Sequence, residues 1–392
     1  MMKKATTKLT LISLSMCLTI LALFLVFFFA KDFTNNEQTS TLKVINHSTK
    51  QHKHDFKTYT TSMTLAAIGD LLIHSTVYND AKTGDTYDFN PMFSAVKEYL
   101  EKPDLTIANQ ETIIGGSEIG LSTYPSFNSP FELADSLKDN GIDIVTIANN
   151  HTLDRGEKAI LNATNYFDQI GMEYVGGYKS EEDKSKIRVI NRNGINISFL
   201  SYTYGTNGIP VPSGKEYLVN LIDLPTIKKE ISEAKKVSDL VSVSMHWGNE
   251  YQRLPSDEQV YLGKEIANAG ADIIIGHHPH VLQPMGWIER EDGGQTFIIY
   301  SLGNFLSGQM WDYKDIGGIL QLDIIKEVTS KNEYEIRIEN PTFTSTYVTN
   351  QQQQNFRIVP LENAGTVGLE HATSVYNEIN DHMFQWLTGD VN

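Results

Sequence analysis

Residues 271–280 read Ala-Asp-Ile-Ile-Ile-Gly-His277-His278-Pro279-His280, an apolar run that ends in three histidines within four positions. A run of this kind predicts a short strand buried on both faces, as in a parallel sheet. Gly276 lets the backbone turn, Pro279 stiffens the turn, and two imidazoles held two positions apart can each address a different cation. Four other stretches follow the same grammar. Leu65–Ile68 precedes Gly69, Asp70 and His74; Asp104–Ala108 ends in Asn109-Gln110-Glu111; Ile142–Ala148 leads to Asn149-Asn150-His151; Leu240–Met245 leads to His246-Trp247-Gly248. Ligands of open α/β sheets bind just beyond the carboxyl ends of the strands. Five strand ends carrying Asp, Glu, Asn and His therefore predict one site gathered from across the chain, and those residue types form a metal-ligand set.

Each cluster has its own chemistry. The Asp70 carboxylate can bridge two cations, whereas His74 is a ligand, a helix cap or a packing residue. Asn109 and Glu111 face the same side if their segment stays extended, so that one ligates and the other orients. The Asn150 amide oxygen is a neutral metal ligand, and the neighbouring His151 can protonate a leaving oxygen. Asp154 either caps the helix that follows or fixes the tautomer of His151. His246 is expected to ligate, with Glu250 and Tyr251 at the mouth. His277 is expected to donate from behind the ligands.

Around these ends the chain alternates strand and helix. Helices are predicted over Pro91–Glu101, Phe131–Asn140, Glu157–Ile170, Leu224–Lys236 and Asp257–Ala269, and Gly141, Gly171 and Gly270 serve as stops. After Thr296 the helical patterns disappear. Phe297–Ser301, Ile319–Ile325, Tyr334–Ile338, Phe343–Tyr347 and Phe356–Val359 read as an antiparallel set, and residues 367–388 as a last helix. The expected fold class is α/β, a layered α/β/β/α sandwich over residues 63–350, with residues 351–392 as a C-terminal extension.

The chain has 392 residues, of which 40% are hydrophobic and 20% charged, as in an ordinary globular protein. Its formal net charge of −16 excludes nucleic acid as a partner, because phosphate backbones require a basic surface. Leu9–Ala30 carries no charge and is long enough to cross a bilayer. Lys3, Lys4 and Lys8 precede it, which predicts a single-pass cell-membrane protein with a cytoplasmic N-terminus and an extracellular main domain. Residues 31–62 read as a polar tether, in which His52 and His54 are filler. The single cysteine, Cys17, lies in the apolar span, so the outer domain has neither a disulfide nor a thiolate metal site.

Four motifs add a resemblance. Asn149-Asn150-His151-Thr-Leu-Asp154-Arg-Gly156, His246-Trp247-Gly248-Asn-Glu250-Tyr251, Gly276-His277-His278-Pro279-His280-Val281 and Tyr300-Ser301-Leu302-Gly303-Asn304-Phe305 resemble the CapA (PgsA) family of poly-γ-glutamate capsule synthesis proteins, in order from about Met63 to about Val348. That family is similar in fold to calcineurin-like metallophosphoesterases, which hold two metals on a β-sandwich flanked by helices. The resemblance implies one or two divalent ions, drawn from Mn, Zn, Fe or Mg. Asp70 and His280 would serve the first site and Asn150, His246 and His278 the second, with Glu111 bridging and His151 as acid. His74, Asn109, Asn149, Glu250, Tyr251, His277 and Asn304 would support the ligands or meet substrate. One departure stands out: Leu72 occupies the histidine position of the phosphoesterase Asp-x-His.

The resemblance further implies partnership with the membrane, with membrane-bound capsule-synthesis subunits and with poly-γ-glutamate itself. No Walker-type loop is present, so the chain is not itself the ATP-driven ligase. Two functions stay open at this point: an accessory subunit of capsule synthesis or export, and a metal-dependent hydrolase of phosphoester or γ-glutamyl bonds. A chain of net charge −16 should repel polyglutamate unless metal ions or a basic groove receive it.

Overall fold

Strand β1 (Tyr59–Leu72) is the axis of the fold. It is largely exposed at its start and continuously buried from Leu65, so its second half is covered on both faces. The structure, a computed structural model, describes residues 57–330 and 333–387; the expected membrane span 9–30 and the tether up to residue 56 lie outside the described residues. Among the described residues no helix is long and apolar enough to cross a membrane. The strand begins inside the stretch read as tether, because Tyr59–Ser62 pair with Lys326–Val328 and their neighbour Ile325.

After β1 come β2 (Lys82–Thr83) and β3 (Thr86–Tyr87), a small hairpin, then β4 (Leu105–Asn109), β5 (Ile144–Thr146), β6 (Glu173–Val175), β7 (Arg188–Arg192) and β8 (Ile195–Thr203). The chain continues with β9 (Leu240–His246), β10 (Ile273–His277), β11 (Leu282–Glu289), β12 (Gln295–Leu302), β13 (Asn304–Ser307), β14 (Ile316–Ser330), β15 (Glu333–Gln351) and β16 (Gln354–Pro360). One sheet has the order β16-β15-β14-β1-β4-β5-β6, with β13 on β1, and the other β11-β12-β10-β9-β8-β7. In the first, β1, β4, β5 and β6 run parallel and β14 to β16 antiparallel. In the second, β8, β9, β10 and β12 are parallel, with β7 and β11 as antiparallel edges.

The period of two along each strand divides the core. Ile195, Ile197 and Phe199 of β8 and Ile273 and Ile275 of β10 join a large apolar cluster with Met63, Leu65, Ala66, Ala67 and Ile68 of β1. The alternate residues Leu200, Tyr202, Val241, Val243 and Ile274 join a second cluster with Ile227 and Ile231 of helix Leu224–Ala234 and Leu262 and Ile266 of helix Asp257–Asn268. Helices Glu132–Asp139 and Gly156–Ile170 contribute Leu133, Leu137, Ile160 and Phe167 to the first cluster. Two sheets thus pack face to face between helical layers.

Several elements differ from expectation. Pro91–Glu101 forms two short helices, Asn90–Phe93 and Lys97–Glu101, and the Ser94 hydroxyl donates back to Pro91 O at 2.9 Å between them. The strand at Phe297–Ser301 pairs in parallel with β10, so it belongs to the second sheet rather than to the antiparallel set. The two expected strands around Asn340-Pro341 are one, β15, whose register shifts between Gln321 and Asp323 of its partner β14. Pro341 is tolerated there because β16 pairs only with the later part of β15, from Thr346 on. The expected boundary at residue 350 falls near the end of β15. The last helix, Ala372–Phe384, buries Ile379 and Met383 in the same core.

Candidate metal centre

The parallel strands of both sheets end on one side, and their last residues meet there. At the end of β1, Gly69 is required by close approach: a Cβ would lie 2.0 Å from Gly303 O and 2.7 Å from Leu302 O. That approach lets Asp70 N donate to Gly303 O at 2.8 Å and places Asp70 in register with Asn109 and Asn304. Asn109 Nδ2 donates to Asp70 Oδ1 at 2.8 Å and lies 3.5 Å from His246 Nδ1, while Asn109 Oδ1 accepts from Thr146 at 3.1 Å. Asn109 therefore orients one carboxylate and one imidazole. His246 and His277 are the last residues of β9 and β10 and pair with each other in register.

Glu111 lies at the centre. It is fully buried, and among the described residues neither carboxylate oxygen has a hydrogen-bond partner. His246 Nε2 and His280 Nε2 are 3.6 and 3.7 Å from its Oε1, beyond hydrogen-bond reach. Ligand atoms of Glu111, His278 and His280 lie within 4.8 Å of one another, as do those of Asp70, Glu111 and His246. A buried carboxylate without a donor costs several kcal/mol unless a cation neutralises it. The donors around it, three imidazoles and a second carboxylate, are metal-ligand types, so the residues fit a divalent ion. Glu111 belongs to both groups, as a bridging carboxylate would. The groups otherwise bring His278 together with His280 and His246 with Asp70, a different partition from the one the resemblance implies.

The turn after β10 is strained into place. His278 and His280 adopt φ of 97° and 59°, a region that L side chains rarely occupy. The turn is pinned by Tyr251 N donating to Pro279 O at 2.8 Å, and His280 Nδ1 lies 3.1 Å from Asp70 Oδ2. Burial alone would raise Asp70, but His277 and His280 outweigh it and hold the carboxyl well below its usual range. Burial opposes the charge on His280, yet Glu111 and Asp70 raise it to about 9. Burial lowers His246 well below its ordinary value, and His278 adds to the effect. Burial and then His280 bring His278 down to about 3. Glu111 is pushed well above the carboxylate range, chiefly by burial. His246 and His278 thus present the neutral imidazoles that a metal requires.

A second group adjoins the first. Asn150 Oδ1 accepts from His246 Nε2 at 2.8 Å, which brings an amide oxygen to the ligand cluster. His151 Nδ1 lies 2.7 Å from Asp154 Oδ2, and that oxygen also accepts from Phe127 N at 2.7 Å. Asp154 therefore orients His151; the following helix is preceded by Arg155 and has no side-chain cap. Asn149 Oδ1 accepts from His151 N at 2.9 Å, and its Nδ2 donates to Gln110 O at 2.9 Å, so it shapes the loop.

His74 precedes helix Ser75–Asp80 without capping it through its side chain. Its Nδ1 lies between Leu72 O and Gly308 N, at 3.0 and 3.2 Å, and its ring stands edge-on to Phe127. It belongs to neither close ligand group, and Leu72 is buried. His277 lies 3.6 Å from Asp70 Oδ1, and among the described residues neither of its ring nitrogens has a hydrogen-bond partner. Asn304 donates to Gln309 Oε1 and Lys314 O at 3.0 and 2.8 Å, while its own buried oxygen has no partner among the described residues. Glu250 and Tyr251 are exposed at the rim.

Two residues carry no ligand signal in the sequence. Asn207 accepts from Asn150 Nδ2 at 3.3 Å and lies 3.3 Å from His151 Nδ1, and Tyr204 packs 4.6 Å from the His278 ring. Both follow β8, whose end reads Thr-Tyr-Gly without a histidine or a carboxylate.

Comparison with known proteins places these features in context. Residues 64–309 match the family described as bacterial capsule synthesis protein PGA_cap. The chain is 31% identical over 297 residues to the PGA biosynthesis protein CapA of Bacillus subtilis (strain 168), covering 71% of this chain and 72% of that protein. It is 30% identical over 263 residues to the capsule biosynthesis protein CapA of Bacillus anthracis, covering 64% and 61%. Similar solved structures include the calcineurin-like phosphoesterase YfkN from Bacillus subtilis, with a TM-score of 0.41 and 15% identity over 82% of this chain and 99% of that one. Another is the NAD nucleotidase NadN of Haemophilus influenzae, with a TM-score of 0.44 and 12% identity over 82% and 56%.

Proposed function

The chain belongs to the PGA_cap family of bacterial capsule synthesis proteins, and from that premise we propose that it is a membrane-anchored, extracellular component of poly-γ-glutamate synthesis or export that carries a metallophosphoesterase-like metal centre. Glu111 carries the metal reading, because its buried oxygens lack partners amid His246, His278, His280 and Asp70. Those five residues and Asn150 would hold the metal. A divalent ion there supplies polarisation of a phosphoryl or acyl oxygen and a nucleophilic hydroxide near neutral pH. The protein's own residues do the remainder: Asn109 orients Asp70, and Asp154 holds Nδ1 of His151, leaving Nε2 to carry a proton towards a leaving oxygen.

Membrane-bound synthesis subunits are the proposed partners. The uncharged span 9–30 is the proposed anchor, with the lysines before it on the cytoplasmic side. Protease added to wall-permeable intact cells should then digest the domain, and full protection would overturn the topology. The deciding experiment for function pairs metal analysis of the purified full-length protein with polymer assay in cells that lack it. One or two equivalents of divalent metal and loss of polymer are expected. Absence of metal with polymer made normally would sink the reading.

The His151–Asp154 pair favours a second reading, a metal-dependent hydrolase of phosphoester or γ-glutamyl bonds that acts outside capsule synthesis. A pure binding module has no use for an oriented acid beside Asn150. Turnover of such compounds by the protein, with polymer unaffected by its loss, would select it.

A further inference from the structure

Three tyrosines from different loops lie near the metal centre, two beside its histidine rings and one against Phe127, which packs on His151. Tyr204, just after β8, lies 4.6 Å from the His278 ring and 6.4 Å from that of His246. Tyr251, beyond β9, lies 6.2 Å from the His280 ring. Tyr124, in the long loop between β4 and β5, lies 6.4 Å from Phe127, whose ring meets His151 at 4.7 Å. These tyrosines are 50%, 47% and 72% exposed, whereas the histidines behind them are buried.

The charge at this opening is as telling as the rings. Arg155 spends its guanidinium on Gly120 O, Ile119 O and Ser122 Oγ, and Lys314 lies 5.2 Å over the Tyr251 ring and 3.4 Å from Asp312. Glu250 is exposed on the same rim. A polycarboxylate would meet electronegative ring faces and a carboxylate there, with both of these cations already engaged. A neutral body with C–H faces and hydroxyls suits the same surface. The C–H faces pack on the rings, and hydroxyls pair with the tyrosine hydroxyls, Gln309 and Glu250. Gln309 already donates to the Tyr251 hydroxyl at 3.3 Å. The Tyr204 ring lies at 45° to that of His278, and the Tyr251 ring at 37° to that of His280.

We infer that the ligand of this centre is a phosphorylated carbohydrate, whose sugar is gripped by Tyr124, Tyr204 and Tyr251 while its phosphoryl group faces Glu111, His278 and His280. The inference rests on the metal-centre reading above and separates the centre's ligand from the glutamate polymer.

The test uses full-length protein loaded with Mn²⁺ and calorimetry with probes that cannot be hydrolysed. A glucose 1-C-phosphonate should bind about tenfold more tightly than methylphosphonate, the increment expected of two or three aromatic contacts. Tyr124→Ala combined with Tyr251→Ala should remove that increment while methylphosphonate affinity and metal content stay the same. Equal affinity for the two phosphonates overturns the inference. So does a larger increment for an adenosine phosphonate or a γ-glutamyl trimer. Metal content on the same samples separates the two readings: metal retained without a sugar increment overturns the collar alone, and protein that takes up no metal overturns the centre and the collar's role together.

Discussion

His246 Nε2 lies 2.8 Å from Asn150 Oδ1, and this contact joins the carboxyl ends of β9 and β5, which belong to different sheets. The two sheets are thereby linked at their carboxyl ends beside Glu111, which makes no hydrogen bond through its carboxylate among the described residues. A buried carboxyl group held among imidazoles without a hydrogen-bond donor marks a place where stability has been given up for a ligand.

His278→Ala removes a neutral imidazole from the group that includes Glu111 and His280. Loss of a supporting outer residue typically lowers metal affinity roughly 10–100-fold, so loss of a ligand should lower it by more. Elemental analysis after dialysis should find the variant depleted and the parent loaded. Equal metal in both would remove His278 from the ligand set.

His151→Ala should separate binding from chemistry. His151 is held by Asp154 at 2.7 Å and is not a member of either close ligand group, so the variant should keep its metal. If the centre is hydrolytic, turnover of a phosphoester should fall by roughly 10²–10⁴-fold, the contribution of a general acid. Unchanged turnover in a metal-loaded variant would refute the acid role.

Much of this site was legible in the sequence because parallel strands buried on both faces are apolar runs, and the residues just beyond them are conspicuous when polar. Asp70, Glu111, Asn150, His246, His278 and His280 were found in that way, and the structure brings them together. Asn207 and Tyr204 were not, since β8 ends in residues with no ligand chemistry and their roles arise from neighbours distant in the chain. Asn207 also adopts φ of 51°, which the Asn207-Gly208 pair announces as a turn, but a turn signal does not say that the side chain reaches Asn150 and His151. The alternative roles of Asp154 were chemically equivalent in sequence, and the 2.7 Å contact with His151 separates them. The parallel pairing of β12 was hidden for another reason: its partner β10 lies before the hairpin strand β11, so the sequence shows a meander where the sheet makes a crossover.

Gly69→Ala tests the approach that positions Asp70. The added Cβ would meet Gly303 O at 2.0 Å and Leu302 O at 2.7 Å, and backbone cannot swing aside as a flexible side chain can. Overpacking of this kind typically costs about 1–3 kcal/mol. Urea denaturation should show that loss, together with weakened metal binding as Asp70 is displaced. A variant as stable as the parent would mean that β1 and the Leu302-Gly303 turn can part freely.

The last prediction concerns the metal-stripped protein, in which the ligands must settle their charges among themselves. A group whose folded-state pKa is raised contributes stability below its unfolded value and loses it as the pH climbs through the folded value. His280 rises from 6.5 to about 9, because Glu111 and Asp70 outweigh its burial. Its contribution is full below pH 6.5 and declines from there to about 9. Glu111, raised chiefly by burial, declines in the same direction from about 4.5 upwards. His278, lowered to about 3 by burial, has the opposite sign: its unfolded form takes up protons below 6.5, so stability falls as the pH drops from 6.5 towards 3. Between 4.5 and 6.5 the two signs oppose each other, and above 6.5 the losses from His280 and Glu111 are left. Urea denaturation of stripped protein should therefore show a loss of about 1–3 kcal/mol between pH 6.5 and 9. His280→Gln should reduce that limb to the part that Glu111 contributes, and added metal, which binds imidazoles only in the neutral form, should flatten it. A flat curve for the stripped parent, or a limb that survives His280→Gln unchanged, would show that His280 is not charged between Asp70 and Glu111.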